Sequence, residues 1–312
     1  MIQFDPTHWA LILGGSSGFG LSTSKKLARH GMNVAIVHRD RRGAMKRIEP
    51  HFEEIRAHGH GFVAVNCDAL AESGRDKAMS ALTDAMGEAG RIRLLLHSIA
   101  FGNLKPIAPV VGDGGANEAV EQLAAKLGVT SDAVRGAVDE LLDAGVHPLH
   151  TLTCAPYGTA MIEAEDMART IDSMGTSLLT WVQALFERSL FASDARVIGL
   201  TSEGNEVAWR GYAAVAAAKV ALESVSRAIA LEFGPHGIRS NIIQAGVTPT
   251  PALALIPGSQ KMKAVASLRN PLGRTTTPED VAAFIALMCT DEAAWVNGSL
   301  LRVDGGERIA SL

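Results

Sequence analysis

The chain has 312 residues, of which 47% are hydrophobic and 20% charged, so a disordered protein is excluded and a substantial core is expected. The formal net charge of −4 favours neither nucleic acid nor an anionic membrane, and no apolar run is long enough for a transmembrane helix. The amino terminus lacks the pattern of a secretory signal and the three cysteines are scattered, which together predict a cytoplasmic protein.

Short apolar runs alternate with amphipathic helical patterns, which predicts an α/β fold. Several runs are continuously apolar, as in strands buried on both faces, so we expect a doubly wound parallel sheet (a Rossmann fold) forming one domain over residues 1–312. The predicted strands are Trp9–Leu13, Asn33–His38, Gly61–Asn66, Leu94–His97, Arg196–Leu200, Ile238–Ile243 and Leu300–Val303. The predicted helices are Phe19–His30, Ala44–Ala57, Ser73–Ala89, Met161–Ser189, Gly211–Phe233 and Pro278–Cys289.

A glycine-rich loop connects the first predicted strand to the first helix. Gly14 permits a tight turn, Gly18 lets the backbone approach a pyrophosphate, and Gly20 lets the helix pack closely on the strand. The free N–H groups at the helix start can then bind phosphate. The loop therefore predicts a dinucleotide site formed by Gly14, Ser16, Ser17, Gly18, Phe19 and Gly20.

The end of the second strand bears on cofactor choice. Arg39 directly follows this strand, and the planar guanidinium suits the 2′-phosphate of NADPH. Asp40 comes next and leaves NADH possible, since a carboxylate there can bond the ribose hydroxyls. We therefore expect NADPH, with NADH as the alternative.

A long segment, residues 104–157, interrupts the alternation after the fourth strand and exceeds an ordinary connection. Two amphipathic patterns, Asn117–Leu127 and Ala133–Ala144, predict an inserted helical hairpin. We place it over the carboxyl edge of the sheet, where such folds bind ligands. A subunit-contact flap is the alternative.

Two hydroxyls, Thr201 and Ser202, end the fifth strand, and Tyr212 precedes Lys219 by seven residues on the following helix. At about 100° per residue, this spacing places Tyr212 and Lys219 on one helix face. The ammonium can bond a nicotinamide ribose and lower the phenol's pKa. The phenol can then donate to an oxygen that becomes negative as hydride arrives.

Other candidate features are interpreted as structural. His147, His150 and Cys154 lack a fourth ligand, so we predict no metal site. The apolar stretch Leu253–Leu268 is typical of a helical lid, with core packing as the alternative. Trp209 lies close enough to Tyr212 in sequence to touch a substrate.

The motifs together resemble the short-chain dehydrogenase/reductase superfamily over the chain outside the insertion. Besides the glycine loop and the Tyr212/Lys219 pair, they are Asp68, His97-Ser98-Ile99-Ala100, Gly246-Val247-Thr248-Pro249-Thr250 and Val303-Asp304-Gly305-Gly306. The resemblance implies that Asp68 bonds the adenine amine, Ile99 and Ala100 line the ribose, Val247 meets the carboxamide and Thr250 lies at the pyrophosphate side. It also implies cofactor contacts by Ala69, Ser98, Gly246, Thr248 and Lys219, and a homotetramer.

Ordinary members of the superfamily place Tyr four residues before Lys, where this chain has Val215. The Tyr-x6-Lys spacing, with His-Ser-Ile-Ala in place of Asn-Asn-Ala-Gly, is similar to the enoyl-acyl-carrier-protein reductase branch. Ser202 stands where carbonyl-reducing relatives carry a catalytic Ser and many enoyl reductases carry a second Tyr. Ser173 and Met174 occupy the region in which many relatives carry an Asn.

The resemblance therefore implies reduction of the C=C bond of an enoyl thioester, with acyl carrier protein as a candidate carrier and Tyr212 and Lys219 as catalytic residues. The alternative is an NADPH-dependent carbonyl reductase or alcohol dehydrogenase, in which Ser202 polarises the carbonyl. A non-catalytic binding protein of the same fold is a third hypothesis.

Overall fold

The computed structural model describes residues 2–112, 115–155 and 157–311. Its strands form one sheet of order β3-β2-β1-β4-β5-β6-β7, and every neighbouring pair is parallel. This order confirms the predicted doubly wound architecture. The strands are β1 (His8–Leu13), β2 (Asn33–His38), β3 (Phe62–Asn66), β4 (Arg91–His97), β5 (Phe191–Ser202), β6 (Ile238–Ala245) and β7 (Leu300–Val303).

Helices cover both faces of the sheet, because successive strand residues point to opposite sides and both sides are apolar. Leu94 and Leu96 of β4 join one core cluster, while Leu95 joins the other. The α-helices are α1 (Gly18–Arg29), α2 (Met45–Arg56), α3 (Glu72–Met86), α4 (Ala116–Leu127), α5 (Ser131–Asp143), α6 (Ala164–Ile171), α7 (Ser177–Glu187), α8 (Ala213–Glu232), α9 (Pro251–Ala254), α10 (Ser259–Arg269) and α11 (Pro278–Met288).

The predicted helix Met161–Ser189 is wrong as a single α-helix. The chain becomes helical at Ala164, and a π-helical turn, Asp172–Thr176, separates α6 from α7. In this turn the Ser173 hydroxyl donates to the carbonyl of Phe101, which follows β4. The bond ties the π-turn to the edge of the sheet at which the candidate site lies.

Two helices, α4 and α5, lie where the sequence predicts the hairpin, although residues 113, 114 and 156 of the segment lie outside the described residues. Thr130 caps α5, since its side-chain oxygen accepts from the Ala133 N–H at 3.2 Å. The apolar faces of the hairpin pack around Ala264 of α10. Among the described residues, no helix combines the length and the apolar character needed to cross a membrane.

Candidate active site

Two adjoining cavities lie along the carboxyl edge of the sheet. The first, the glycine-loop cleft, extends from the loop after β1 to the residues that follow β2, β3 and β4. The second, the Tyr–Lys pocket, lies beside Ser202, Tyr212 and Lys219. Phe19, Ala100 and Thr250 are among the residues that line both cavities, so the two spaces are contiguous.

The glycine loop has the geometry that its sequence predicts. Gly14 adopts φ +84°, and a Cβ there would lie 2.5 Å from the carbonyl oxygen of Ser98. A Cβ on Gly20 would collide with the backbone of Gly14, which confirms that only glycine permits this helix–strand approach. The first N–H groups of α1 have no partner within the helix and can serve a phosphate.

Most of the predicted cofactor residues surround these two cavities. Gly20 is the exception, because it lies beneath the loop and acts through packing. The glycine-loop cleft is lined by Gly14, Ser16, Ser17, Gly18, Phe19, Arg39, Asp68, Ala69, Ser98, Ile99, Ala100 and Thr250. The Tyr–Lys pocket is lined by Lys219, Gly246, Val247, Thr248 and Thr250 from the same prediction.

Arg39 lies in the cleft but is engaged by the protein itself. Its Nη1 donates to Asp68 Oδ2 at 2.8 Å, and its guanidinium lies 4.5 Å from the centre of the Phe101 ring. Burial alone would raise the pKa of Asp68, but hydrogen bonds from Leu70 N–H and Arg39 outweigh it, and this pKa lies below its ordinary value. Phe101 and its contact with Arg39 were not predicted from the sequence.

Tyr212 is the N-cap of α8, one residue before the helix, so the expected placement of both reactive groups within one helix is wrong in detail. Its hydroxyl lies 3.4 Å from Ser202 Oγ, and its ring packs against Gly204. Burial raises the pKa of Tyr212, and the contact with Ser202 only partly opposes this. The expected lowering of the phenol pKa by Lys219 is thus not found, and at neutral pH the phenol is a proton donor.

Lys219 is buried at the inner end of the pocket. Its Nζ donates to the carbonyl oxygen of Leu200 at 2.8 Å. Burial lowers the pKa of Lys219 to about 8, and the charge of Glu223 partly opposes this. Burial, with the nearby charge of Lys219, lowers the pKa of His97 to about 3, so His97 is neutral and shares a hydrogen bond of 2.9 Å with Ser177.

Val215 forms part of the apolar wall at the position where ordinary relatives of this motif carry Tyr. It packs in one cluster with Met174, Ala218 and the Tyr212 ring. The adjacent Ser173 is buried, and its hydroxyl is bonded to backbone carbonyls. The chain therefore has a serine in the region in which many relatives carry an Asn side chain. The part of the pocket wall that Met174 and Val215 form is therefore apolar.

An ionic cluster, Glu203–Arg269–Glu307, joins three segments around the pocket, and no sequence motif indicates it. Arg269 at the end of α10 forms ion pairs with Glu203, which follows Ser202, and with the buried Glu307. Glu307 Oε2 also accepts the Val247 N–H at 3.1 Å. Burial raises the pKa of Glu307, with the bonds from Val247 and Arg269 opposing. Val247 is the residue expected to meet the carboxamide of the cofactor, and its N–H is therefore already engaged by Glu307.

The predicted lid corresponds to α9, α10 and their connection. Leu253, Ile256 and Met262 from this segment line the Tyr–Lys pocket, as does Trp209. Trp9 and Trp181, by contrast, are core residues. Within the described part of the chain, no group of three or more His, Cys, Asp or Glu side chains could hold a metal ion.

Comparison with known families gives two matches that together span nearly the whole chain. Residues 8–113 match the family described as short chain dehydrogenase, and residues 111–307 match the family described as Enoyl-(Acyl carrier protein) reductase. The second match alone covers more than half of the chain.

Individual relatives and structures agree with these matches. A cis-4-hydroxycyclohexanecarboxylate dehydrogenase of Sinomonas cyclohexanicum is 28% identical over 95% of each chain. An enoyl-acyl-carrier-protein reductase (NADH) of Escherichia coli is 36% identical over 40% of this chain and 48% of that protein. The crystal structure of an enoyl-acyl-carrier-protein reductase (NADH) from Aquifex aeolicus has a TM-score of 0.70 at 22% identity, covering 99% of this chain and 100% of that one. This last likeness concerns the fold.

Proposed function

The chain belongs to the short-chain dehydrogenase/reductase superfamily, and on that premise we propose that it reduces the C=C bond of an enoyl thioester with a nicotinamide dinucleotide as hydride donor. The observation that carries the proposal is the position of the phenol. Tyr212 lies seven residues before Lys219, at the start of α8, and Val215 closes the wall at the usual position.

The residues of the glycine-loop cleft fit such a cofactor. Gly14 and Gly20 leave no space for side chains, and Gly18, at φ +51°, lets the backbone lie open to the cleft. Because this cleft is contiguous with the Tyr–Lys pocket, one extended ligand can lie across both cavities. When bound, the cofactor supplies a hydride.

The protein's own contribution is a positioned proton donor in an apolar pocket. Because its pKa is raised, Tyr212 keeps its proton and can donate to the thioester oxygen as negative charge develops there. Lys219, held by the Leu200 carbonyl, lines the same pocket and supplies positive charge there. The apolar side chains of Met174 and Val215 beside the phenol lower the local dielectric constant, which strengthens both interactions.

The enoyl thioester is favoured because the wider spacing moves the phenol along the pocket relative to the ordinary site. The match to a family described as enoyl reductase supports the same choice. We expect NADPH oxidation with a crotonyl thioester. Turnover of a 3-oxoacyl thioester without turnover of the crotonyl thioester would contradict the proposal.

A carbonyl reductase or alcohol dehydrogenase is the second candidate, and the contact between Ser202 and Tyr212 favours it. The dehydrogenase from Sinomonas cyclohexanicum, named for a hydroxy acid, supports it as well. Replacement of Ser202 by Ala separates the two candidates. Near-full activity is expected for the enoyl reductase, whereas a carbonyl reductase would lose most of its activity.

For the cofactor we propose NADPH over NADH. Arg39 is the cation nearest the end of β2 in the cleft, although a 2′-phosphate would have to compete with Asp68 for it. In Arg39→Ala we expect KM to rise for NADPH and to change little for NADH. A preference for NADH that the substitution leaves unchanged would exclude this assignment.

Three further properties are proposed with the function: acyl carrier protein as the carrier, a homotetrameric assembly and a cytoplasmic location. The exposed Trp295, close before the edge strand β7, is an apolar surface that assembly could cover. Mass measured in solution tests the assembly, and kinetics with carrier-bound substrate test the carrier.

A further inference from the structure

A third cavity, the outer chamber, adjoins the Tyr–Lys pocket on the side of the insertion. The inserted segment contributes residues 109–112 and 153–159, apart from 156, while the loop before Tyr212 and the start of α10 complete the wall. Trp209 and Met262 line both the outer chamber and the Tyr–Lys pocket. These two side chains therefore form the boundary between the chamber and the reactive centre.

The wall of the outer chamber is anchored by a packed interface. Val120 of α4 and Val138 of α5 are buried in one cluster with Ala264 of α10. Leu149 and Leu152, in the short helical turn that leads to residues 153–159, pack on the same cluster. The insertion and α10 are thus held together, and the chamber between them is part of the fold.

The charge of the outer chamber is positive among the residues described. Arg210 and Lys261 line it, both are exposed, and neither forms a salt bridge with a described residue. The described lining residues include no Asp or Glu. Arg210 is held near the insertion by Tyr157, with the guanidinium 5.7 Å from the ring centre. Because the whole chain carries a net charge of −4, this local positive charge is not a general property of its surface.

We infer that the outer chamber binds the phosphate-bearing pantetheine arm of a thioester substrate, with the acyl group in the Tyr–Lys pocket. The inference rests on the proposed function. An acyl phosphopantetheine thioester joins an apolar group to a polar amide chain that ends in a phosphate. The two cavities have the same order. The apolar Tyr–Lys pocket comes first, Trp209 and Met262 form the boundary, and the outer chamber with its two cations follows. Arg210 and Lys261 meet the phosphate.

The test compares crotonyl phosphopantetheine with crotonyl pantetheine, which differ only in the phosphate. In the double variant Arg210→Gln/Lys261→Gln, we expect KM for the phosphorylated substrate to rise about three- to tenfold, because exposed ionic contacts are individually weak. KM for crotonyl pantetheine and both kcat values should stay unchanged. Lys126→Gln, which removes an exposed cation of α4 outside the chamber, should change neither KM.

Direct binding separates this inference from the proposed function. With saturating NADP⁺ present, calorimetry should show that wild-type protein binds phosphopantetheine more tightly than pantetheine, and the double variant should lose the difference. Equal binding of the two compounds to the wild type, or KM changes that are the same for both substrates, would overturn the chamber assignment. Discrimination in binding without turnover of either thioester would uphold the chamber and reject enoyl reduction.

Discussion

At the scale of single residues, the position of the reactive phenol depends on Gly204. A Cβ at this glycine would lie 2.5 Å from Cε1 of Tyr212, so Gly204→Ala must displace the ring. A shift of about 1 Å at a reacting group can cost about 100-fold in rate, and we expect kcat to fall by that order while cofactor affinity is retained. Steady-state kinetics and cofactor titration measure the two effects.

Gly136→Ala is the matched control for this substitution. Gly136 lies in α5, and apart from its chain neighbours and the backbone of its own helix, a Cβ there would meet no atom within 4 Å. This variant should keep full kcat and gain about 0.5–1 kcal/mol of stability from the helical alanine. Unchanged kcat in Gly204→Ala would show that the phenol does not need its observed position.

The buried Lys219 predicts a pH dependence of stability. Its pKa is about 8 in the fold against 10.5 for an exposed lysine, so its ammonium destabilises the fold below pH 8. As pH rises from 8 to 10.5 the folded state loses this proton first, and the free energy of unfolding rises. Relative to Lys219→Met, the wild type should gain about 3 kcal/mol over this window.

Urea denaturation of both proteins across this pH range measures the difference. The variant lacks the bond to the Leu200 carbonyl at every pH. The change of the stability difference with pH therefore measures the titration of Lys219. A difference that does not change with pH would mean that the lysine is ionised much as it is in water.

Sequence motifs were informative for residues whose chemistry is local. Gly14 and Gly20 could be identified from the sequence because no other residue fits the turn and the close packing. Phe101 and Glu307 gave no such signal. Each acts on a residue distant in the chain, Arg39 in one case and Val247 in the other, and no spacing rule connects them.

At the scale of secondary structure, the ionic cluster Glu203–Arg269–Glu307 holds α10 against the segments that follow β5 and β7. The Glu307 side chain is only 2% exposed, so removing its cation leaves a carboxylate buried without a charge partner. Arg269→Met should lower the free energy of unfolding by about 3 kcal/mol. Because Met262 of α10 lines the Tyr–Lys pocket, the substitution should also raise the KM for the substrate.

Arg274→Met is the control for this prediction, because the ion pair of Arg274 with Asp280 is largely exposed. Denaturant unfolding of the two variants should show a clear loss for Arg269→Met and a much smaller one for Arg274→Met. Equal losses would mean that the cluster is no more important than a surface ion pair.

Each of the seven strands and most of the predicted helices were found from the sequence, since hydrophobic periodicity reports which faces are buried. The helix assigned to Met161–Ser189 was wrong because a π-turn adds a residue without interrupting the apolar pattern on either side. The two hairpin helices were found from their amphipathic patterns. Their packing partner, Ala264, could not be deduced, because an apolar stripe does not specify what covers it.

At the scale of the whole molecule, the glycine-loop cleft and the Tyr–Lys pocket share one edge of the sheet, so ligand binding should stabilise the entire fold. Saturation with NADP⁺ at about 100 times its Kd adds about 2.7 kcal/mol, or about 4 °C in Tm for a chain of this size. Gly18→Val should abolish the shift, because a branched side chain at φ +51° is strained and would project into the cleft.

The shift in Tm is compared within each protein, so any intrinsic destabilisation of Gly18→Val does not enter. If Gly18→Val kept the full Tm shift with NADP⁺, the phosphates of the cofactor would not bind at the glycine loop. The β-α order needed for this edge was visible in the sequence, whereas the contiguity of the two cavities depends on loop conformations that no pattern encodes.

The π-turn makes the length of one helix a determinant of pocket chemistry. Each residue added to or removed from a helix rotates what precedes it by about 100°. A chain shortened by one residue at Gly175 would turn Thr170 away from the Asn103 N–H, to which it is now bonded at 3.0 Å, and would bring a different side chain to the place of Met174. Insertions and deletions here would therefore alter substrate preference while leaving the seven-stranded scaffold intact.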